Sequence, residues 1–440
     1  MGQISSNVEI ELNGSSSFSI GADAYSWSAD GHLLIADVWI PLNANASTAT
    51  FTLDGSDWGI ALLRVAGNAR AVINDATTGG DRHIEHIALS NAGGNTVTLN
   101  KAHVGVITGS SGIDKITVGA TFVGALHLAE GNDTVVTRSG FVETINVGGG
   151  NNTVTVGTGG AGIIFAGTGQ DNIAVAGDVD SLLAGHGNDT IRTGAGWVGT
   201  IDADRGNDTV VLGSGGASYV SLGRDSDTIR LSRLADKTMT VVIDGGSQIS
   251  SPSHKDFDTV DFSAFSSKVA VNLNGAYTVK SGYGNFLIRN FENATGGQGS
   301  DTLVGNSGNN VLKGGAGNDR IEGGLGADKL YGGAGADTFV FKSVKDSTVS
   351  SSGRDTIYDF SRSQKDKIDL SVIDASTKGA GNQAFDFIGT KKFTKTAGEL
   401  RYENKNGDTF IYGDVNGDGK ADISIMLDLS LAMSKSDFIL

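Results

Sequence analysis

The chain has 440 residues, 66 of them glycine, two proline and none cysteine, and its 49 acidic against 33 basic side chains leave a formal charge of −16. Glycine at this frequency without a G-X-Y period excludes a collagen, and 38 % hydrophobic residues recurring in register exclude plain disorder, so repetitive folded structure remains. Disulfides and thiolate metal sites are excluded, the acidic balance points to cations and away from nucleic acid, and neither a cleaved secretory leader nor an apolar membrane span is recognisable.

Residues 1–90 hold the apolar segments LLIADVWIPL and WGIALLRV without a clean period. The open ends of a repeat protein need covering, so this stretch predicts an N-terminal capping, irregular β region. Its polar cluster DRHIEH, residues 81–86, offers His83, Glu85 and His86 as catalytic candidates, because parallel β-helices also carry polysaccharide lyases and epimerases that use such side chains. Alternating polar residues describe a solvated strand face equally well.

Residues 91–232 repeat a GND-T-[VI] motif at Asn95, Asp114, Asp133, Asn152, Asp171, Asp189, Asp208 and Asp227, spaced by 19 residues with one spacing of 18. Two residues after this column stand Val97, Ile116, Val135, Val154, Ile173, Ile191, Val210 and Ile229. Seven before it, from the second coil on, stand Ile107, Leu126, Ile145, Ile164, Leu182, Ile201 and Val220, and ten before it Val104, Val123, Val142, Ala161, Val179, Val198 and Ala217. Three apolar columns per repeat predict a parallel β-solenoid with a continuous interior. Each coil has one short acidic loop, such as AGHGND at 184–189, and one loop without the aspartate, expected to be the longer.

Residues 233–295 break the period, with DTVDFSAF, VAVNL and IRNFENATGG, and predict a decorated connecting segment of the same roll. From Gly296 the sequence then reads GGQGSDTLV, GNSGNNVLK, GGAGNDRIE, GGLGADKLY, GGAGADTFV, four of the five blocks fitting GGxGxDxUx. These blocks resemble the RTX, or haemolysin-type, calcium-binding repeat. Glycine-rich loops can turn carbonyls inward beside an aspartate, and calcium takes six or more such oxygens. The resemblance implies a parallel β-roll in which two blocks make one coil, with Leu303, Leu312, Ile321, Leu330 and Phe339 in a thin core. Loops two blocks apart then stack, pairing Asp301 with Asp319, Asp319 with Asp337, and Asn310 with Asp328, the last site weaker for want of a charge. Applied upstream, it makes Asp114, Asp133, Asp171, Asp189, Asp208 and Asp227 ligands on one edge, with pairs that include Asn95 or Asn152 weak or empty. The first consensus glycine is mostly missing there, and an asparagine ladder without metal is the competing reading.

Residues 342–440 carry DTIYDF, DKIDLS, GELRY, GDVNGDGKADISI and a final SKSDFIL, and resemble the C-terminal domain of serralysin-type secreted metalloproteases. Asp437, Phe438, Ile439 and Leu440 look like the uncleaved signal read by type I exporters of Gram-negative bacteria. Asp414, Asn416, Asp418 and Asp422 imitate the start of an EF-hand loop, but position twelve is Ile425, and an Asx-rich turn is the competing reading.

Neither HExxH nor GxSxG occurs, so the protease resemblance stops at the tail and a lipase elbow is missing. The expected fold is all-β, a parallel β-roll or solenoid with calcium-binding turns and a C-terminal β-rich flanking domain. The leading functional reading is a secreted, extracellular calcium-binding protein that folds on calcium outside the cell and serves there as a non-enzymatic surface-attachment or matrix-interaction protein, with a cell-surface or matrix polysaccharide as candidate partner. A polysaccharide lyase or epimerase is the alternative, favoured by DRHIEH. Ice binding through outward threonines such as Thr134, Thr153 and Thr190 is a minor one, weakened by Arg192 and Arg230 in the next outward column. Phe122, Phe141 and Trp197 recur on the loop side that lacks aspartate, either as an exposed gripping column or packed on their neighbours.

Overall fold

The computed structural model describes the strands Val8–Glu9, Ser17–Ile20, Leu33–Leu42, Thr48–Leu53, Trp58–Gly67, Arg70–Asp75 and Arg82–Leu89, together with residues 94–246 and 256–440. Residues 1–223 and 224–440 form two compact units. Among the described residues the helical content is two short 3-10 turns, Ser351–Gly353 and Lys435–Asp437, and no helix is long and apolar enough to cross a membrane.

In the first unit every coil adds one strand to each of two parallel sheets. Lys115–Val118 lies between Asn95–Leu99 and Thr134–Thr137 with Ile116 opposite both Val97 and Val135. Val123–His127 lies between His103–Thr108 and Val142–Asn146 with Leu126 opposite Ile107 and Ile145. The register shift equals the coil length, so like residues stack, and all members of the three apolar columns in this unit are at most 2 % exposed. Each valine, leucine or isoleucine among them contributes roughly 1.5–3 kcal/mol on burial.

Two further interior columns were not evident in the sequence. One runs through Val118, Thr137, Val156, Val175, Thr193 and Leu212, its threonines buried because Thr137 and Thr193 accept the amides of Gly157 and Gly213 at 3.0 and 2.9 Å. The other, Leu128, Val147, Ala166, Ala184 and Ala203, occupies the first position of the acidic loops. The aspartate-free connection, expected to be the longer, is the shorter: residues 119–122 against 128–133. A turn that only closes the coil needs fewer residues than one that also positions a carboxylate. The strands within 1–90, expected as an irregular cap, continue the same ladders: Leu33–Leu42 pairs in parallel with Trp58–Gly67, that with Arg82–Leu89, and that with His103–Thr108.

The second unit is again a parallel roll, its strands drawn from two main sheets and from a further one in which Thr240–Asp244 pairs in parallel with Gly284–Arg289. Thr228–Leu231, Thr259–Asp261, Asn293–Thr295, Val311–Ala316, Lys329–Ala334 and Thr356–Ile357 follow one another in one sheet. Ala270–Asn272, Thr302–Val304, Arg320–Glu322, Thr338–Val340, Lys367–Asp369 and Phe438–Ile439 form another. Leu303, Leu312, Ile321, Leu330 and Phe339 are all fully buried, as the nonapeptide period predicts. The segment 233–295 contributes coils of the roll decorated by the antiparallel pair Tyr277–Ser281 and Gly284–Arg289, under which Phe262, Phe265 and Phe286 pack edge to face or tilted. The tail first adds another coil, through Thr356–Ile357 and Lys367–Asp369, and then folds Glu399–Lys405, Asp408–Asp414 and Ile423–Leu427 into an antiparallel meander.

Candidate metal centre

The nonapeptide loop is shaped by its glycines. Gly315 and Gly317 hold φ of 108° and 116°, a region that favours glycine, and a Cβ on either would lie 2.3 Å from a carbonyl oxygen of the preceding coil. The loop then delivers its aspartate, buried, to the head of the next strand. There the carboxylates form a ladder: the Asp301 amide donates to Asp319 Oδ1 at 2.7 Å, Asp319 to Asp337 at 2.8 Å, and Asn310 to Asp328 at 2.8 Å. The three expected pairs are therefore neighbours.

Each rung uses only one carboxylate oxygen. Oδ2 of Asp319, Asp328 and Asp337 is buried and accepts no hydrogen bond. A buried acceptor left this way costs about 1–3 kcal/mol, more when charged. The first consensus glycine faces this oxygen: a Cβ on Gly314, Gly323 or Gly332 would lie 2.3, 2.2 or 2.4 Å from Oδ2 of Asp319, Asp328 or Asp337. Burial pushes Asp319 and Asp328 up to about 7 and Asp337 up to about 6, neighbouring carboxylates adding to the effect. Asp301 differs, because the amides of Val269 and Gly297 serve its two oxygens at 2.7 and 2.6 Å.

Both ladders extend past the tandem block, through residues the sequence reading missed. Asp337 donates its amide to Asp366 Oδ1 at 3.0 Å and Asp328 to Asp355 Oδ1 at 2.9 Å, and Asp355 Oδ2 is again buried without a donor. Before the block, Asp227 donates to Asp258 at 2.9 Å and Asp258 to Glu292 Oε2 at 2.9 Å. Burial pushes Asp258 up to about 9 and Asp355 well above the carboxylate range. The signal was present in DTVDF, DTIYDF and DKIDL, which keep the D-x-U head of a strand without its period.

In the first unit the same ladder runs on one edge. Amides of Asp114, Asp133, Asn152, Asp171 and Asp189 donate to the next column residue at 2.6–2.8 Å. Oδ2 of Asp133, Asp171 and Asp189 is buried without a donor, and burial pushes Asp133 up to about 7 and Asp171 up to about 6. Asp114 is served on both oxygens, by Asn95 Nδ2 at 2.7 Å and the Ser110 amide at 2.8 Å. The first loop position is Gly109 beside Asp114 but Leu128, Val147, Ala166, Ala184 and Ala203 in the following coils, so a side chain stands there where the tandem block has glycine. Asp208 and Asp227 fall in different units, and each stands with the neighbours of its own unit. An outer ladder of Asn132, Asn151, Asn188 and Asn207 ties the loops together, side-chain oxygen to next amide, at 2.7–2.8 Å.

The other expected residues are placed differently. Asp414 accepts the amides of Gly417 and Gly419 at 2.7 and 2.9 Å, and Asp422 those of Val415 and Asn416 at 2.8 and 3.3 Å. Asn416 and Asp418 likewise cap the amides of Asp418 and Lys420, and Ile425 is buried, so the carboxylates of this loop are engaged by its own backbone. Of DRHIEH, Asp81 lies outside the described residues. His83 and Glu85 are exposed on one strand, and His86 shares a hydrogen bond with Thr108 at 2.8 Å. Phe122, Phe141 and Trp197 are 38–40 % exposed; the first two rings stack with centroids 6.2 Å apart, and Trp197 stands apart from them beyond Gly160 and Asp178. Arg230 pairs with Asp261 at 2.9 Å on the outward face considered for ice.

Buried, donorless carboxylate oxygens in register beside glycine-rich loops fit a hard cation. Among the described residues no three His, Asp or Glu side chains converge on one point, so the remaining ligands must be loop carbonyls, which suits calcium better than a transition metal. Residues 253–440 match the family model of the peptidase M10 serralysin C terminal, and residues 165–196 and 200–219 match that of the RTX calcium-binding nonapeptide repeat. The chain carries RTX calcium-binding repeats and a serralysin-type C-terminal domain. RTX repeats bind calcium ions at multiple sites. The tandem block at 296–340 lies inside the serralysin-type match, while the repeat model itself picks out the 19-residue coils.

A comparison with curated proteins found no match. Among solved structures the chain is similar to the AlgE6R3 subunit of the Azotobacter vinelandii mannuronan C5-epimerase, at 28 % identity over 33 % of this chain and 76 % of that one, TM-score 0.25. The AlgE6R2 subunit of the same epimerase matches at 24 % over 34 % and 80 %, TM-score 0.22. Extracellular lipase LipA from Serratia marcescens matches at 13 % over 84 % and 45 %, TM-score 0.19.

Proposed function

We propose that this RTX protein is exported by type I machinery, folds outside the cell on binding calcium, and serves there as a non-enzymatic attachment or matrix-interaction protein. The observation that carries the calcium part is the run of buried Oδ2 atoms of Asp319, Asp328 and Asp337 that no donor reaches. An unpaired buried carboxylate opposes folding, so the metal-free chain is destabilised and binding and folding become one event. Asp319 and Asp337 hold ions on one edge of the tandem block, Asp328 with Asp355 on the other, and Asp133, Asp171, Asp189 and Asp208 on the edge of the 19-residue coils, while Asp301, with both oxygens served by amides, closes its rung without an ion. The bound ion supplies positive charge that links successive coils.

Secretion is supported by the serralysin-type domain, and attachment by the half-exposed rings of Phe122, Phe141 and Trp197. Circular dichroism in excess chelator tests the coupling: full β-structure without calcium sinks it. Retention of the calcium-loaded protein on a panel of polysaccharides, with new unsaturated ends and changed uronate configuration followed in parallel, tests the role. Retention without either product supports attachment; either product turns the reading to a lyase or epimerase.

A further inference from the structure

We propose that Asn152 and Asn310 are built-in substitutes for the cation, rungs at which a side-chain amide satisfies the oxygens that calcium satisfies beside the aspartates. The inference rests on the calcium reading of the columns.

At Asn152 the orientation of the amide is fixed by its neighbours. Its Oδ1 faces a donor, the Asp133 amide at 2.8 Å, and so takes the place of an aspartate Oδ1. Nδ2 therefore stands where the aspartates of adjacent coils have their donorless Oδ2. It donates to the carbonyls of Gly150 in its own loop, at 3.1 Å, and Ala166 in the next, at 3.4 Å. Where an aspartate stands, a carboxylate oxygen takes the place of those two N–H groups and brings no proton. Repulsion between oxygens at such a place is relieved by a cation or by a donor, and Asn152 brings the donor with it.

Asn310 reaches the same end by a different route. Its Nδ2 donates to the Glu292 carbonyl at 2.7 Å and to Asn306 Oδ1 at 3.0 Å, while its Oδ1 accepts the Asn306 amide at 2.8 Å. Asn306 occupies the second loop position, which is glycine in the other four blocks. The loop GNSGNN thus departs from the repeat at two places, and the two departures bond each other. A loop that had merely lost its ligand would have no need of the second change.

The ladders are in this way divided into segments that fill separately. Asn152 stands between Asp133 and Asp171, and Asn310 stands between Glu292 and Asp328. Converting either asparagine to aspartate should create a calcium site at a rung that needs none.

The full-length chain tests this with calcium as the probe. Calcium per chain, measured by atomic emission after equilibrium dialysis at millimolar calcium, is expected to rise by one in Asn152→Asp and by one in Asn310→Asp. The calcium concentration at half-folding should rise in both, because a self-sufficient rung now waits for an ion. Asn152→Ala should gain no ion. A folded Asn152→Asp chain holding no more calcium than the unaltered protein overturns the proposal. So does failure of both aspartate variants to fold at saturating calcium, since a rung that accepts a cation would be restored by it. Asp319→Ala, run alongside, reads the calcium assignment by itself: if that variant keeps every ion, the aspartate columns are not the ligands, whatever the asparagine variants show.

Discussion

Replacing Asp319 by alanine removes a hydrogen-bond acceptor and a buried charged oxygen together. Oδ1 accepts the Asp301 amide at 2.7 Å, and leaving that buried N–H unpaired costs about 1–3 kcal/mol. Oδ2, which no donor reaches, is assigned to calcium, and one ion lost at a hundredfold excess over its Kd costs about 2.7 kcal/mol. The variant should therefore be less stable by about 4–6 kcal/mol at saturating calcium, a large share of the roughly 5–15 kcal/mol of a typical domain. Asp301→Ala removes the acceptor of two amides, Val269 and Gly297, for about 2–6 kcal/mol, largely independent of calcium because both oxygens are already engaged. The two variants are separated by slope. Urea midpoints measured across a range of calcium concentrations should rise less steeply with calcium for Asp319→Ala than for the unaltered chain, while Asp301→Ala is displaced downward in parallel. Parallel lines for all three proteins would refute the division of labour between the two oxygens.

Gly314→Ala should lower calcium per chain, since its Cβ would lie 2.3 Å from Asp319 Oδ2 and 2.6 Å from the Gly332 carbonyl oxygen; unchanged calcium content by emission spectroscopy would show that the cradle is not where the ion sits. Because burial holds Asp319 near 7 and Asp171 and Asp337 near 6 in the folded chain, against 3.8 for the ordinary group, the folded form keeps protons that the unfolded form releases. That contribution is fully present below about pH 4 and is lost as pH rises through 6 to 7, so the metal-free chain should gain structure on acidification from pH 8 to 5 while calcium affinity falls over the same window. Circular dichroism in chelator measures the first, and loss of structure on acidification would contradict it. His83→Ala with His86→Ala should change the unfolding free energy by no more than about 0.5 kcal/mol and leave polysaccharide retention intact, since one ring is exposed and the other bonds Thr108 at 2.8 Å; a polysaccharide-cleaving activity abolished in this variant would place catalysis at DRHIEH.

The nonapeptides and the three apolar columns were legible because there the chain returns to the same place after a fixed number of residues, so spatial stacking is written as sequence period. Asp258, Glu292, Asp355 and Asp366 belong to the same ladders but follow their partners by 31, 34, 27 and 29 residues. The strands on either side pair in register although the number of residues between them varies, so position in space survives while the period does not. Thr137 and Thr193 were illegible for another reason: a hydroxyl that accepts an amide can stand in an apolar column, and polarity alone assigns it to the surface. The state of each carboxylate, donorless at Asp319 and doubly served at Asp301, depends on which amides the neighbouring coil presents, and a single loop does not encode that.

Each coil of the first unit shares its strand register with the one before and the one after. Lys115–Val118 meets Asn95–Leu99 and Thr134–Thr137, and the ladder repeats this arrangement from coil to coil. Among its described strands none has a partner far along the ladder, and its size is a tally. One coil more or fewer changes the length of the exposed faces and leaves every surviving contact as it was, so duplication and loss of 19-residue units can lengthen or shorten the protein's reach without a new core having to be found.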